Sequence, residues 1–135
     1  MKFIHITDLH LVQPGNMLKG LDPERRFAPC IDDINRHHSD AECCVITGDL
    51  ADAGETAAYE LLHREIERCH VPCHLLVGNH DHRERFLHYF PQTDQQEGFV
   101  QAAVETSVGV FLLLDTVCAG HHSGEYCTTR LQWLR

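Results

Sequence analysis

Three short segments of the sequence place carboxylate, imidazole and amide side chains directly after apolar runs: Asp8-Leu9-His10, Gly48-Asp49 and Gly78-Asn79-His80-Asp81. Asp8 and His10 are two residues apart, so on an extended backbone their side chains point the same way and can hold one cation between oxygen and nitrogen. The carboxylate of Asp49 has two oxygens that can bridge two cations, and Asn79 offers a neutral oxygen to the second. The sequence therefore predicts a metal centre.

Such a centre would suit phosphoester hydrolysis. Two cations about 3.5 to 4 Å apart clamp a phosphoryl group and lower the pKa of a bridging water, so no serine or cysteine nucleophile is needed. His80 is less suited to ligate than Asn79, and we expect it to contact the phosphate and to protonate the leaving alkoxide. Carboxylate, amide and imidazole ligands together favour manganese, iron or zinc over magnesium alone.

Each segment taken alone also has an ordinary structural interpretation. Gly48-Asp49 at a strand end is often only a turn, and Gly78-Asn79-His80-Asp81 could be a turn with an Asx hydrogen bond. The order of the segments, each at a predicted strand end and separated by helices of crossover length, favours the metal centre.

The apolar runs at 2–7, 43–47, 73–77 and 108–114 have the length of buried strands, and 99–104 could form another. Helices are predicted between the first three runs. Strands that alternate with helices indicate an α/β fold with a parallel sheet, in which the carboxyl ends of the strands meet at one edge and gather ligands.

Helix signals support this order. Phe27, Ile31 and Ile34 recur at helical spacing after Asp22-Pro23, and Pro29 suggests that the regular helix begins late. The second helix has Thr56 as a plausible cap and is amphipathic. Its apolar stripe consists of Ala58, Leu61, Leu62 and Ile66. The polar stretches 91–98 and 120–129 are predicted to be loops.

Composition excludes several classes of function. Eleven Lys and Arg against twenty Asp and Glu give a net charge of -9, which argues against long nucleic acid as a partner. The seven cysteines form no C-x-x-C frame, so we expect free thiols and a reducing, cytoplasmic setting. No apolar run approaches the roughly 20 residues of a membrane span, and no membrane partner is expected.

As an ordered set, the three segments resemble the first metal motifs of the calcineurin-like metallophosphoesterases. The resemblance implies that Asp8 and His10 bind the first metal, that Asp49 bridges, and that Asn79 binds the second. Asn79 and His80 would contact the substrate, with His80 as the catalytic residue. The implied fold is a four-layer α/β arrangement of two mixed sheets packed face to face between helices.

The resemblance also implies a function. The chain would be a binuclear hydrolase of a small phosphodiester, using two divalent ions (Mn, Fe or Zn) and a metal-bridging hydroxide. Further matches resemble the bacterial branch of cyclic-nucleotide and glycerophosphodiester phosphodiesterases. These matches are Gly20-Leu21-Asp22, Tyr59, Leu114-Asp115-Thr116 and 131–134.

Residues 1–135 correspond to the N-terminal portion of a single catalytic domain of that family, incomplete at its C-terminus. The later ligand histidines of the family have no match after Asp81, and the pair His121-His122 is predicted to be a solvated loop. The chain is therefore expected to be a fragment or a truncated product. Two alternatives stay open: a non-catalytic metal-binding or interaction module that keeps half a site, which makes a homo-oligomer conceivable, and a phosphomonoesterase.

Overall fold

A computed structural model gives the structure of the protein and describes residues 1–93 and 98–135. The strands are β1 (Phe3–Thr7), β2 (Cys43–Thr47), β3 (Cys73–Leu76), β4 (Ala102–Thr106) and β5 (Gly109–Leu113). The helices are α1 (Pro23–His37), α2 (Thr56–Glu67), α3 (Arg83–Tyr89) and α4 (Thr128–Trp133). In the described part of the chain, no helix is both long and apolar enough to cross a membrane.

The first three strands form a parallel sheet in the order β1-β2-β3. Phe3 pairs with Cys43, and Cys44 pairs with Cys73. Because successive side chains of a strand point to opposite faces, Cys44 and Ile46 pack into the core with the helices, whereas Cys43 and Val45 pack on the other face. The central strand is thus buried on both faces, as its unbroken apolar run predicts.

Helix α1 begins at Pro23, earlier than expected from Pro29. The Asp22 side chain caps the helix by accepting a hydrogen bond from the backbone N–H of Arg25 at 3.1 Å. Pro29 removes one donor inside the helix, but the cap and the buried stripe that includes Phe27 outweigh that loss.

Helix α2 also differs from its prediction at the first residue. Thr56 is helical, and Glu55 takes the cap position without a side-chain hydrogen bond to the helix. The predicted apolar stripe is in place, with Ala58, Leu61 and Leu62 buried in the main core.

The hairpin β4-β5 is antiparallel and packs on the face of the parallel sheet opposite the helices. The rings of Phe3 and Phe111 join the two sheets at their edge, with centroids 4.9 Å apart. Helices, parallel sheet and antiparallel sheet therefore form successive layers. The predicted α/β fold with two facing sheets is confirmed; over the described residues one sheet is parallel and the other antiparallel, so neither is mixed as expected.

The ends of the later elements are also shifted. The strand expected at 99–104 is β4, which starts at Ala102, and the loop expected at 120–129 ends where α4 begins at Thr128. Residues 94–97, inside the loop expected at 91–98, lie outside the described residues.

A buried carboxylate fastens the C-terminal elements to the rest of the chain. Asp115 is completely buried and accepts hydrogen bonds from Arg83 Nε at 2.8 Å and Nη2 at 2.9 Å. It also accepts from the backbone N–H groups of Val100 at 3.0 Å and Val117 at 2.9 Å. The buried guanidinium of Arg130 donates to the Asp115 carbonyl at 2.8 Å. These residues join α3, the segment before β4, the loop after β5 and α4.

Replacing Asp115 with Ala should lower the free energy of unfolding by about 3 to 5 kcal/mol, because it leaves half-buried Arg83 without its carboxylate and removes the buried charge next to Arg130. Urea denaturation followed by circular dichroism measures the change. As the matched control, Asp33→Ala removes an exposed carboxylate that pairs with His37 on α1, and should change stability by less than about 0.5 kcal/mol. Equal midpoints for both variants would contradict the anchoring role of Asp115.

Candidate metal centre

The chain segments that leave β1 and β2 stay paired beyond the ends of the strands. His10 N–H donates to the Asp49 carbonyl at 2.9 Å, and Leu11 N–H donates to the Leu50 carbonyl at 3.0 Å. The Asp52 N–H returns a hydrogen bond to the Leu11 carbonyl at 2.9 Å. The first two predicted segments are therefore held side by side at the carboxyl edge of the sheet, as the parallel order requires.

Three of the predicted metal ligands have left-handed backbone. The φ angles are 54° at Asp8, 43° at His10 and 44° at Asp49. The extended backbone expected from Asp8 to His10 is therefore wrong. Each such non-glycine residue costs of order 1 to 3 kcal/mol and persists only where surrounding contacts hold it. Here the cross-loop hydrogen bonds of His10 and Asp49 hold it, so backbone strain coincides with the predicted ligands.

This backbone brings the side chains together. His10 Nε2 lies 4.0 Å from Asp8 Oδ1 and 3.7 Å from Asp49 Oδ2. With nitrogen and oxygen ligands at about 2.0 to 2.2 Å from a cation, two ligand atoms of one ion lie no more than about 4.4 Å apart. Both separations meet that limit, so the donor set fits a divalent cation without rearrangement of the backbone.

His80 lies in the same group. Ligand-type atoms of His10, Asp49 and His80 lie within 4.8 Å of one another. The rings of His10 and His80 meet edge to face, with centroids 4.9 Å apart. Their closeness was not evident from the sequence, which assigned His80 to the substrate rather than to the ligand cluster.

His80 is held from two sides. Its backbone N–H donates to Asp49 Oδ1 at 3.0 Å, and its Nδ1 donates to the Asp52 carbonyl at 2.6 Å. The second bond fixes the tautomer, raises the pKa of the His80 imidazole and leaves Nε2 free.

Asp52 is a residue of the candidate site that the sequence analysis did not identify. Its Oδ1 lies 3.0 Å from Nδ1 of His10. A carboxylate on one ring nitrogen orients a histidine and directs the other nitrogen toward a metal. Nε2 of His10 is the atom that faces Asp8 and Asp49. The sequence shows only an acidic residue three positions after Asp49. That spacing does not predict a contact with His10 unless the fold is known.

Asp81 has a positioning role that the sequence analysis did not assign. Its carboxylate accepts from the N–H groups of Leu50 at 3.0 Å, Ala51 at 2.9 Å and Gly78 at 2.8 Å. The Tyr59 hydroxyl donates to it at 3.0 Å. Burial raises the pKa of Asp81, and the four donors favour its charged form. One side chain thus ties the loops after β2 and β3 to α2.

Gly78 permits the two loops to touch. A Cβ at this position would lie 2.2 Å from both the backbone nitrogen and Oδ1 of Asp49. No side chain fits there, so glycine is required for the approach of Asp49 to Asn79 and His80.

Asn79 is exposed, and its Nδ2 lies 3.1 Å from Nδ1 of His122. Residues 121–122 are in a loop, as expected, but His122 does more than face solvent, since its ring meets a predicted ligand. The rings of His122 and His80 have centroids 6.3 Å apart.

An open cavity of about 680 Å³ adjoins the ligand cluster. Asp8, His10, Asp49 and His80 form one side, and Asp52 also borders it. Its other side is mainly apolar, with cationic side chains among the lining. These residues are Leu18, Leu21, Phe27, Lys19 and Arg26. The cavity can therefore admit an anion that carries an organic substituent.

The chain is similar to known phosphoesterases over nearly its whole length. The family described as calcineurin-like phosphoesterase matches residues 1–133. A probable cyclic nucleotide phosphodiesterase of Rhodopseudomonas palustris is 39% identical over 99% of the chain and 50% of its own length. The 3',5'-cyclic adenosine monophosphate phosphodiesterase of Escherichia coli K12 is 29% identical over 99% of the chain and 48% of its own length.

A glycerophosphodiester phosphodiesterase of Enterobacter lignolyticus is 25% identical over 99% of the chain and 50% of its own length. The chain thus spans about half the length of the curated relatives it matches.

Replacing Gly78 with Ala should displace Asp49, because the added Cβ has no space. We expect a loss of about 1 to 3 kcal/mol of stability from overpacking and a drop of at least about tenfold in Mn²⁺ affinity. Thermal unfolding and calorimetric Mn²⁺ titration measure both. The control is Gly109→Ala, whose Cβ would meet no heavy atom within 4 Å. Unchanged Mn²⁺ affinity in Gly78→Ala would refute the steric argument.

Proposed function

Because the chain belongs to the calcineurin-like phosphoesterase family, we propose that it carries the metal-binding half-site of a metal-dependent phosphodiesterase that acts on a small phosphodiester. The observation that carries the proposal is the convergence of Asp8, His10 and Asp49 on one point, with His80 beside them. A structural turn needs no such cluster, because carboxylates grouped at one point repel one another.

In this proposal Asp8 and His10 would hold the first of two divalent cations (Mn, Fe or Zn), Asp49 would contribute its carboxylate to both, and Asn79 would hold the second. Bound cations would supply charge that stabilises the phosphoryl oxygens and would lower the pKa of a coordinated water. Asp52 keeps the His10 ring in place, and Asp81 keeps Asp49 and Asn79 on neighbouring loops.

His80 is the proposed proton donor to the leaving oxygen. Its Nδ1 is committed to the Asp52 carbonyl, so Nε2 is the atom that can transfer a proton. The raised pKa increases the fraction of the imidazole that carries this proton near neutral pH. The backbone hydrogen bond to Asp49 ties the position of the acid to that of the predicted bridging ligand.

The cavity supports a diester substrate. A phosphomonoester needs room for one substituent, whereas the cavity of about 680 Å³ extends from the ligand cluster to the apolar surface of Leu18, Leu21 and Phe27. The curated relatives are named for cyclic nucleotides and for glycerophosphodiesters, and both are small diesters. We therefore propose one of these two classes as substrate. A module that only binds metal would have no use for an oriented His80.

Manganese-loaded protein should hydrolyse bis(p-nitrophenyl) phosphate, and Asp49→Ala should lower the rate by at least about a hundredfold, because both proposed cations lose a ligand. Release of p-nitrophenol measures the rate. Glu105→Ala, which removes an exposed carboxylate on β4, is the matched control and should retain the activity. Turnover that survives Asp49→Ala would contradict the proposal, and Mn²⁺ binding without turnover would support the metal-binding module instead.

Replacing His80 with Ala should have an effect that depends on the leaving group. Loss of a general acid should slow hydrolysis of a glycerophosphodiester, which has an alkoxide leaving group, by about 10² to 10⁴-fold. The effect on bis(p-nitrophenyl) phosphate should be much smaller, because p-nitrophenolate leaves without a proton. The kcat values of the two substrates are compared, with exposed His88→Ala on α3 as control. Equal losses on both substrates would exclude the acid role.

A further inference from the structure

We infer that His122 is a positioning residue that fixes the side-chain amide of Asn79 so that its oxygen faces the second cation. The inference rests on the proposed function, since it concerns the residue proposed to hold that cation. Nδ2 of Asn79 lies 3.1 Å from Nδ1 of His122. Within residues 1–93 and 98–135, this is the hydrogen bond that the structure gives to the Asn79 side chain.

The contact with His122 determines which way the Asn79 amide is oriented. An asparagine amide has a nitrogen that only donates and an oxygen that only accepts. Nδ1 of His122 must therefore accept the bond, which places the ring proton on Nε2. With Nδ2 of Asn79 engaged in this way, Oδ1 points to the opposite side of the amide. The reversed amide would present a donor group to the cation and could not ligate it.

The loop that carries His122 is held in a defined conformation by backbone hydrogen bonds. A β-bridge between Val117 and Gly124 closes it, and the N–H of Glu125 donates to the Thr116 carbonyl at 2.8 Å. Inside the loop, His121 N–H donates to the Cys118 carbonyl at 3.0 Å. The ring of His122 is thus presented from a closed turn.

The base of this loop is fixed by the buried cluster around Asp115. The Val117 carbonyl accepts from Arg83 Nη2 at 3.2 Å and from Arg130 Nη1 at 3.3 Å. Arg83 is also the first residue of α3, four positions after Asn79. The same guanidinium therefore anchors the loop of His122 and the segment that follows Asn79, which keeps the two side chains at a constant separation.

A small cavity of about 250 Å³ lies between the two segments. Asn79 and His122 line it, and hydroxyl groups from β1, β2 and the later loop complete a polar wall. These hydroxyl-bearing residues are Thr7, Thr47, Thr116 and Ser123. In the described part of the chain, the hydrogen bond of the His122 ring goes to Asn79 and not to His80, so its effect reaches the site through Asn79.

The test is calorimetric titration of Mn²⁺ into the 135-residue protein without substrate, together with electron paramagnetic resonance of the loaded protein. His122→Phe keeps a ring but removes the acceptor, and it should weaken the lower-affinity Mn²⁺ site about 10- to 100-fold while the tighter site is unchanged. His122→Asn restores an acceptor at nearly the position of Nδ1 and should recover most of the affinity. His121→Phe, one residue away in the same exposed loop, is the control and should bind like the wild type.

The outcomes separate this inference from the proposed function. Wild-type protein that binds two Mn²⁺ ions, loses the weaker one in Asn79→Ala, and keeps it in His122→Phe would overturn the role of His122 and leave the metal centre intact. Equal weakening in His122→Phe and His122→Asn would also overturn it, because the acceptor would then be irrelevant. Wild-type protein that binds no second ion would overturn both.

Discussion

The carboxylate of Asp81 is the interaction on which the site depends. The backbone donors at Leu50, Ala51 and Gly78 belong to loops that leave the sheet, where the regular hydrogen bonds between strands have ended. Asp81 supplies hydrogen bonds to these loops from one half-buried side chain. Without it, unpaired N–H groups would be left in a partly buried place, at about 1 to 3 kcal/mol each.

This fixed frame allows the site to hold conformations that are unfavourable on their own. Asp8, His10 and Asp49 have left-handed backbone, and the carboxylates of Asp8, Asp49 and Asp52 crowd around one imidazole. Strain and like-charge repulsion both oppose this arrangement. The arrangement persists because backbone hydrogen bonds connect the loops and because Gly78 leaves room for Asp49. Because the ligands are already in place, little free energy has to be spent on rearranging them when a cation binds.

The second half of the described chain contributes through a different buried carboxylate. Asp115 connects Arg83, next to the Asn79 loop, with Arg130 on α4 and with the backbone of Val117. The hairpin β4-β5 meanwhile covers the rear face of the sheet through Leu113. Two charged clusters, one around Asp81 and one around Asp115, therefore set the positions of side chains that lie far apart in sequence.

The sequence by itself determined the α/β order, the three chemistry-bearing segments and their place at strand ends, because apolar runs and local helix signals are short-range properties. It also gave the family resemblance, which the match over residues 1–133 confirms. Predictions of local backbone conformation from the sequence were wrong where tertiary contacts outweighed local preferences. Pro29 suggested a late helix start, and the spacing of Asp8 and His10 suggested extended backbone; the Asp22 cap and the cross-loop hydrogen bonds prevailed.

Only the tertiary structure decided which residues support the predicted ligands. Asp52 acts on His10 from 42 positions away, and His122 meets Asn79 from 43 positions away. Neither has a local signal, since an acidic residue in a loop and a histidine beside glycine and serine are common in solvated segments. Their partners are set by how β1, β2 and the loop after β5 come together, which follows from the packing of the sheets, from half-buried Asp81 and from buried Asp115. Residue type and spacing therefore determined the chemistry available, and long-range packing decided its geometry.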